Sequence, residues 1–273
     1  GPVSALNEKG LVAYSIACRS GPAEVRLWAF AHERRLFLAR AEGAGRSVYD
    51  GLAVHADVSI DLDAEREAEA DDLEGRRLFH EGRLERAAIA FARALEHFPR
   101  DATARNHLGL AALEGHRWDD AIRDFSAARA LFPVSCPIQV NLGRARLMAG
   151  HARLAEVPPD LGGARRHFED AAETAGRFRE PLAAETAIAW NALGLAEMEK
   201  DRFTQAAADL ERALEFDDEP VFRENLAAVY FNEACELAAR GNLPRARTRL
   251  EEAIRLKPDF PEARDALRRI QGR

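Results

Sequence analysis

The residue types that most often carry metal, redox or covalent chemistry are sparse in this sequence. The three cysteines, Cys18, Cys136 and Cys235, are more than 90 residues apart, and no CxxC pair or zinc-type Cys/His spacing occurs. Each is expected to be a small buried apolar side chain. No HExxH, GxSxG or kinase motif is present, and residues 43–45 lack the third glycine and following helix of a phosphate-binding loop. The sequence therefore predicts no catalytic residue, no metal site and no cofactor, and hence a protein that is not an enzyme.

The amino-acid composition further limits the kind of protein that this chain forms. The chain has 273 residues, of which 47% are hydrophobic and 31% charged, which is typical of a folded protein. Asp and Glu total 46 against 39 Lys and Arg, so the formal net charge is −7, which argues against a general nucleic-acid partner. No stretch approaches the roughly 20 apolar residues of a membrane span, so no membrane insertion is expected. Only Lys9, Lys200 and Lys257 are lysines, and this excess of Arg is associated with bacterial genomes rich in G and C.

An internal repeat of 34 residues organises most of the chain. Gly75, Gly109 and Gly143 are spaced by this period. The same spacing separates Ala87 from Ala121, Phe91 from Phe125, Ala94 from Ala128 and Pro99 from Pro133. Each unit therefore predicts a helix with a small residue at its middle, a short turn, and a second helix that ends before proline.

This pattern resembles the tetratricopeptide repeat, in which Leu-Gly on the first helix is followed by Ala, an aromatic residue, Ala and Pro on the second. The resemblance implies a mainly α fold: a solenoid of antiparallel helix pairs over residues 64–273. The repeats are predicted at about 68–101, 102–135, 136–178, 187–220 and 221–259, with a capping helix at 260–271. Such proteins are interaction scaffolds, so the resemblance implies a protein or peptide partner.

Two repeats depart from the 34-residue period. Between Gly143 and Ala164 lie nine more residues than between Gly109 and Ala121, and residues 157–163 are predicted to form a loop that holds this excess. The fifth unit has an excess of about two helical turns with no helix breaker, which predicts a long first helix from about 221 to 240.

Residues 1–63 are predicted to form a small β-rich segment. Runs at 11–17, 25–31, 36–39 and 54–60 are rich in β-branched and aromatic residues, and Gly-, Pro- and charge-containing turns separate them. The pattern is similar to the first strands of the split barrel of pyridoxamine-phosphate-oxidase-like flavin proteins, which implies a flavin-like cofactor as an alternative. An open half-sheet also leaves edges that a second copy of the chain would close, so a homodimer is expected.

The resemblance implies that a ligand lies on the concave face, which the first helix of each repeat lines. The residues so placed are Arg76, Phe79, Asn106, Leu110, Leu113, Asn141, Arg144, Met148, Asn191, Leu195, Met198 and Asn225. The four asparagines are the most informative, because an amide both donates to and accepts from a peptide backbone. Leucine and methionine there would cover apolar side chains of the ligand.

The function predicted first is a non-enzymatic scaffold that binds a peptide or protein segment in this groove. One alternative is a cofactor-binding or enzymatic N-terminal barrel that the repeats regulate. Another is a factor for assembly of an envelope, pilus or secretion apparatus. A cytoplasmic location is expected, or a periplasmic or membrane-anchored one if the natural protein carries an export signal ahead of Gly1.

Overall fold

The computed structural model describes residues 12–20, 23–32, 35–43, 56–177 and 179–272. Two compact units divide the chain, residues 1–104 and residues 105–273. The boundary predicted near residue 64 thus lies inside the first unit. Helices dominate the described residues, as the sequence predicts.

Four strands and two helices lie in the described part of the first unit. These are β1 (Val12–Ser20), β2 (Ala23–His32), β3 (Arg35–Gly43), β4 (Ala56–Asp61), α1 (Leu62–His80) and α2 (Leu84–His97). Each strand pairs antiparallel with the next in sequence, and the register shifts between Leu38 and Ala39 where β3 meets β4. Residues 1–11 and 44–55, on which part of the β-rich prediction rests, lie outside the described ranges.

The remaining helices follow one another with short connections. They are α3 (Ala102–Glu114), α4 (Trp118–Leu131), α5 (Cys136–Leu154), α6 (Leu161–Arg177), α7 (Arg179–Met198), α8 (Phe203–Phe216), α9 (Pro220–Ala239), α10 (Leu243–Leu256) and α11 (Pro261–Gln271). Within the second unit α5 packs on α6, α7 on α8 and α9 on α10, and the first helices α5, α7 and α9 also contact one another in turn. The long first helix predicted for the fifth repeat is confirmed, since α9 has 20 residues. Helix α7 begins eight residues earlier than the start predicted for its repeat.

Glycine permits the close packing of the two helices in a pair. A Cβ atom at Gly75 would lie 2.5 Å from the Phe91 ring, and one at Gly109 would lie 2.7 Å from the Phe125 ring. Both phenylalanines are almost fully buried. The 34-residue spacing of glycine and phenylalanine therefore reflects a helix–helix contact, which a larger residue in place of the glycine would disrupt.

The third repeat packs in a different register from the one predicted. Phe168 lies against Gly150, where a Cβ would be 2.2 Å from the ring, while Gly143 lies against Leu182 of α7. Helix α5 is two turns longer than the alignment on Gly143 allows, so the small residue that faces the aromatic one moves seven positions along the helix. The predicted loop 157–163 is correspondingly short, because Leu161 already begins α6.

Candidate functional site

Helix α7 leaves one narrow face uncovered. Side chains of α5, α6, α8 and α9 join those of α7 in a single apolar cluster around Phe168 and Trp190. Residues Thr186, Ala187, Ala189, Trp190 and Leu193 are consequently buried. Four side chains spaced by three or four residues stay partly or largely exposed, and we call them the α7 stripe: Glu185, Ile188, Asn191 and Leu195.

Amide side chains pair across neighbouring first helices at two places in the second unit. Asn225 Nδ2 of α9 donates to Asn191 Oδ1 of α7 at 2.8 Å, and Asn141 Nδ2 of α5 donates to Asn106 Oδ1 of α3 at 3.0 Å. All four predicted asparagines therefore lie in matching pairs on first helices. Each pair keeps one NH2 group and one carbonyl oxygen for a further partner.

An ion pair joins the first residue of the stripe, Glu185, to α5. Arg144 Nη2 donates to Glu185 Oε1 at 2.9 Å, and Arg144 Nε lies 3.2 Å from both carboxylate oxygens. These hydrogen bonds raise the pKa of Arg144 above its ordinary value. The guanidinium predicted to contact a ligand is thus engaged by the neighbouring helix, and its charge is balanced.

Two exposed aliphatic side chains lie beside the asparagine pair and were not predicted from the sequence. Ile188 is 54% exposed and Val221 of α9 is also 54% exposed. They precede Asn191 and Asn225 by three and four residues, so each lies one helical turn from its asparagine on the same helix face. An aliphatic residue one turn ahead of Asn191 and another one turn ahead of Asn225 is the sequence signal that points to them.

The other predicted residues occupy varied surroundings. Leu113 is only 9% exposed and belongs to the core around Phe125, whereas Leu110 and Met148 pack at the edge of that core. Met198 Sδ accepts a hydrogen bond from Asn232 Nδ2 at 3.5 Å. Leu113 therefore offers little surface to a ligand.

The first unit holds the two remaining predicted residues. Arg76 Nε lies 3.0 Å from Asp72 Oδ2 on the preceding turn of α1. The Phe79 ring meets His80 edge to face, with 6.1 Å between the ring centroids. The Arg76 guanidinium thus has a carboxylate partner within its own helix.

The His, Cys, Asp and Glu side chains of the described ranges form no metal centre. No group of three or more His, Cys, Asp or Glu side chains with metal-binding geometry occurs there. Cys136 and Cys235 are exposed free thiols, so the prediction that they are buried is wrong. Both lie on first helices at positions that the neighbouring helices leave uncovered. Of the helices described, none combines the length and apolar character that crossing a bilayer requires.

Comparison with known proteins identifies the repeats. The tetratricopeptide repeat family model matches residues 73–135, 160–219 and 231–270. No curated protein sequence matches the chain significantly.

Three solved structures illustrate the likeness. TTC0263, a thermophilic TPR protein in Thermus thermophilus, is 22% identical, with 76% of this chain and 100% of that chain covered and a TM-score of 0.34. YrrB, a TPR protein with an unusual peptide-binding site, is 20% identical over 75% of this chain and 94% of that chain, with a TM-score of 0.37. MamA from Desulfovibrio magneticus RS-1 is 16% identical over 70% and 96% of the two chains, with a TM-score of 0.40. Because the family model matches more than half of its residues, the chain belongs to the tetratricopeptide repeat family.

Proposed function

We propose that this chain is a non-enzymatic interaction scaffold that holds an extended segment of a partner protein along the α7 stripe. The observation that carries the proposal is the amide pair Asn191–Asn225, which spans two first helices at 2.8 Å. The second pair, Asn106–Asn141, repeats the arrangement in the same unit.

The chemistry of an amide pair suits a peptide group. A peptide group has one N–H donor and one carbonyl acceptor, and the pair offers the complementary carbonyl and NH2. Main-chain recognition of this kind fixes an extended segment without reading its side chains. Paired amides also hold each other in place, so less rotamer entropy is lost when a ligand binds.

Apolar side chains next to the amide pair supply the contact area. Ile188, Val221 and Leu195 lie one turn before or after the asparagines, and the first two are more than half exposed. A partner side chain that covers them gains about 25 cal/mol for each Å² of apolar surface removed from water. The stripe therefore offers both main-chain hydrogen bonds and an apolar contact.

The test is a selection of ligands from a random dodecapeptide library, followed by calorimetry with the double variant Asn191→Ala and Asn225→Ala. Removing both amides leaves neither one buried without its partner, so the fold should keep its stability. Two lost hydrogen bonds are expected to weaken binding about tenfold or more.

Gln205→Ala is the matched control, because it removes an exposed amide from the second helix α8. The Gln205→Ala variant should bind the selected peptides with the same affinity as the natural chain. Binding that survives the double asparagine variant unchanged contradicts the proposal.

The first unit offers a second surface for binding, which is the open edge of strand β1. In the described sheet β1 pairs with β2 alone, so its other edge has no strand beside it. A second copy of the chain that pairs there stays a prediction, which the mass of the full chain in solution tests.

A further inference from the structure

The short connection between α8 and α9 is acidic and adjoins the α7 stripe. It consists of Asp217, Asp218 and Glu219, and Val221 follows two residues later in the first turn of α9. Asp218 accepts a hydrogen bond from Arg223 Nε at 2.8 Å, so its charge is balanced. Asp217 and Glu219 have no ion-pair partner among the described residues, and Glu219 is exposed.

Two other carboxylates near the stripe are neutralised by basic partners. Glu185 is paired with Arg144, and Glu224 accepts from Lys257 Nζ at 2.8 Å. Among the described side chains, Asp217 and Glu219 are therefore the carboxylates near this end of the stripe that have no ion-pair partner.

We infer that the partner segment is basic as well as aliphatic, with a lysine or arginine beside a branched aliphatic or aromatic residue. This inference rests on the proposed function and adds the chemistry of the partner. The aliphatic residue covers Ile188 and Val221, and the basic head group meets Asp217 and Glu219.

The long basic side chains suit this arrangement physically. Their methylene stems lie on apolar surface while the charged head reaches water or a carboxylate, so one residue satisfies both parts of the surface. An acidic segment would meet the carboxylates of Asp217 and Glu219, and would find the guanidinium groups of Arg223 and Arg144 already paired with Asp218 and Glu185. Charge complementarity thus selects basic over acidic partners.

The test uses the peptides selected from the random dodecapeptide library and measures their affinities by fluorescence anisotropy in 50 mM and 500 mM NaCl. Lysine or arginine next to an aliphatic or aromatic residue should be enriched. The double variant Asp217→Asn and Glu219→Gln should weaken binding about fivefold at low salt, and this difference should shrink at high salt. Ile188→Ser should weaken binding at both salt concentrations.

The control is the double variant Glu96→Gln and Glu169→Gln, which removes two exposed carboxylates from second helices and should leave affinity unchanged. The inference is overturned if the selected peptides are acidic or uncharged, or if the Asp217/Glu219 variant binds them as tightly as the natural chain. In that case binding that still depends on Asn191 and Asn225 leaves the proposed function standing. If the Asn191/Asn225 double variant also binds the peptides as tightly as the natural chain, both the inference and the proposed function are contradicted.

Discussion

At the scale of single residues, the turn between the two helices of a repeat contains one residue with a left-handed backbone in four of the repeats. Gly82 and Gly241 take φ values of +73° and +79° there, while His116 and Asp201 take +56° and +55°. In each turn this residue's N–H bonds the carbonyl three residues back, and the next N–H bonds the carbonyl five back. This is the helix-ending arrangement that favours glycine.

Asp201→Gly is accordingly expected to stabilise the chain. A residue with a Cβ atom destabilises the folded chain by roughly 1–2 kcal/mol when its backbone is left-handed, and glycine removes this strain. Part of the stabilisation is lost because glycine has more conformational freedom in the unfolded chain. The free energy of unfolding in urea should rise by about 0.5–1 kcal/mol. Asp201→Ala keeps the strain and serves as the control. A glycine variant no more stable than the alanine one would show that the turn stores no strain.

The partners of the predicted binding residues were not predictable from local sequence. The asparagines follow from matching positions to the repeat, and the structure joins them in pairs. Arg144 and Arg76 were expected to face a ligand, but each has a carboxylate partner within 3.0 Å. The partner of Arg144 lies 41 residues away, and no local pattern indicates such a pair.

At the scale of helices, the third repeat shows how length changes packing. Gly143 keeps the 34-residue period, yet Gly150 receives the Phe168 ring because α5 continues to residue 154. The Leu182 side chain, from the early turns of α7, fills the space against Gly143 instead. Helix length therefore decides which of two glycines makes the contact.

Gly150→Ala is expected to destabilise the chain although alanine favours helices. The added Cβ would lie 2.2 Å from Phe168 Cε1, so the ring or the backbone must shift. Overpacking of this kind should outweigh the helix-propensity gain and lower the free energy of unfolding by about 1–2 kcal/mol.

Gly176→Ala in α6 is the matched control, because no atom lies within 4 Å of its added Cβ. It should stabilise by about 0.5–1 kcal/mol through propensity alone. Equal effects of the two substitutions in urea unfolding would refute the register described for the third repeat.

At the scale of the whole second unit, α11 closes the row of helices. Ala263 is fully buried in the cluster that contains Leu250 and Ala253 of α10, whereas Arg264, Asp265 and Arg268 are exposed. A helix with one apolar and one charged face covers the last pair and presents a polar surface to water. The helix has the form expected of a cap for a stack of repeats.

Ala263→Asp is expected to loosen this cap. A buried carboxylate without a partner costs about 2–4 kcal/mol, and the exposed face of α10 should then bind the dye ANS. Arg264→Asp adds the same charge to the same first turn of α11 but on its exposed side, where it gives up one hydrogen bond to the Pro258 carbonyl. Only the first variant should show a lower melting temperature and ANS fluorescence. If both behave alike, the buried contact of Ala263 is unimportant to the cap.

The sequence alone determined the family, the order of the helix pairs, the long α9 and the placement of the four asparagines on first helices. Repeat spacing, glycine opposite phenylalanine and proline after the second helix are local signals that recur along the chain. Tertiary structure decided the register of the third repeat, the pairing of Arg144 with Glu185 and the exposure of Ile188 and Val221. These depend on how far neighbouring helices extend and which faces they cover. Contacts between residues some 40 positions apart are set by packing, which a short-range pattern does not encode.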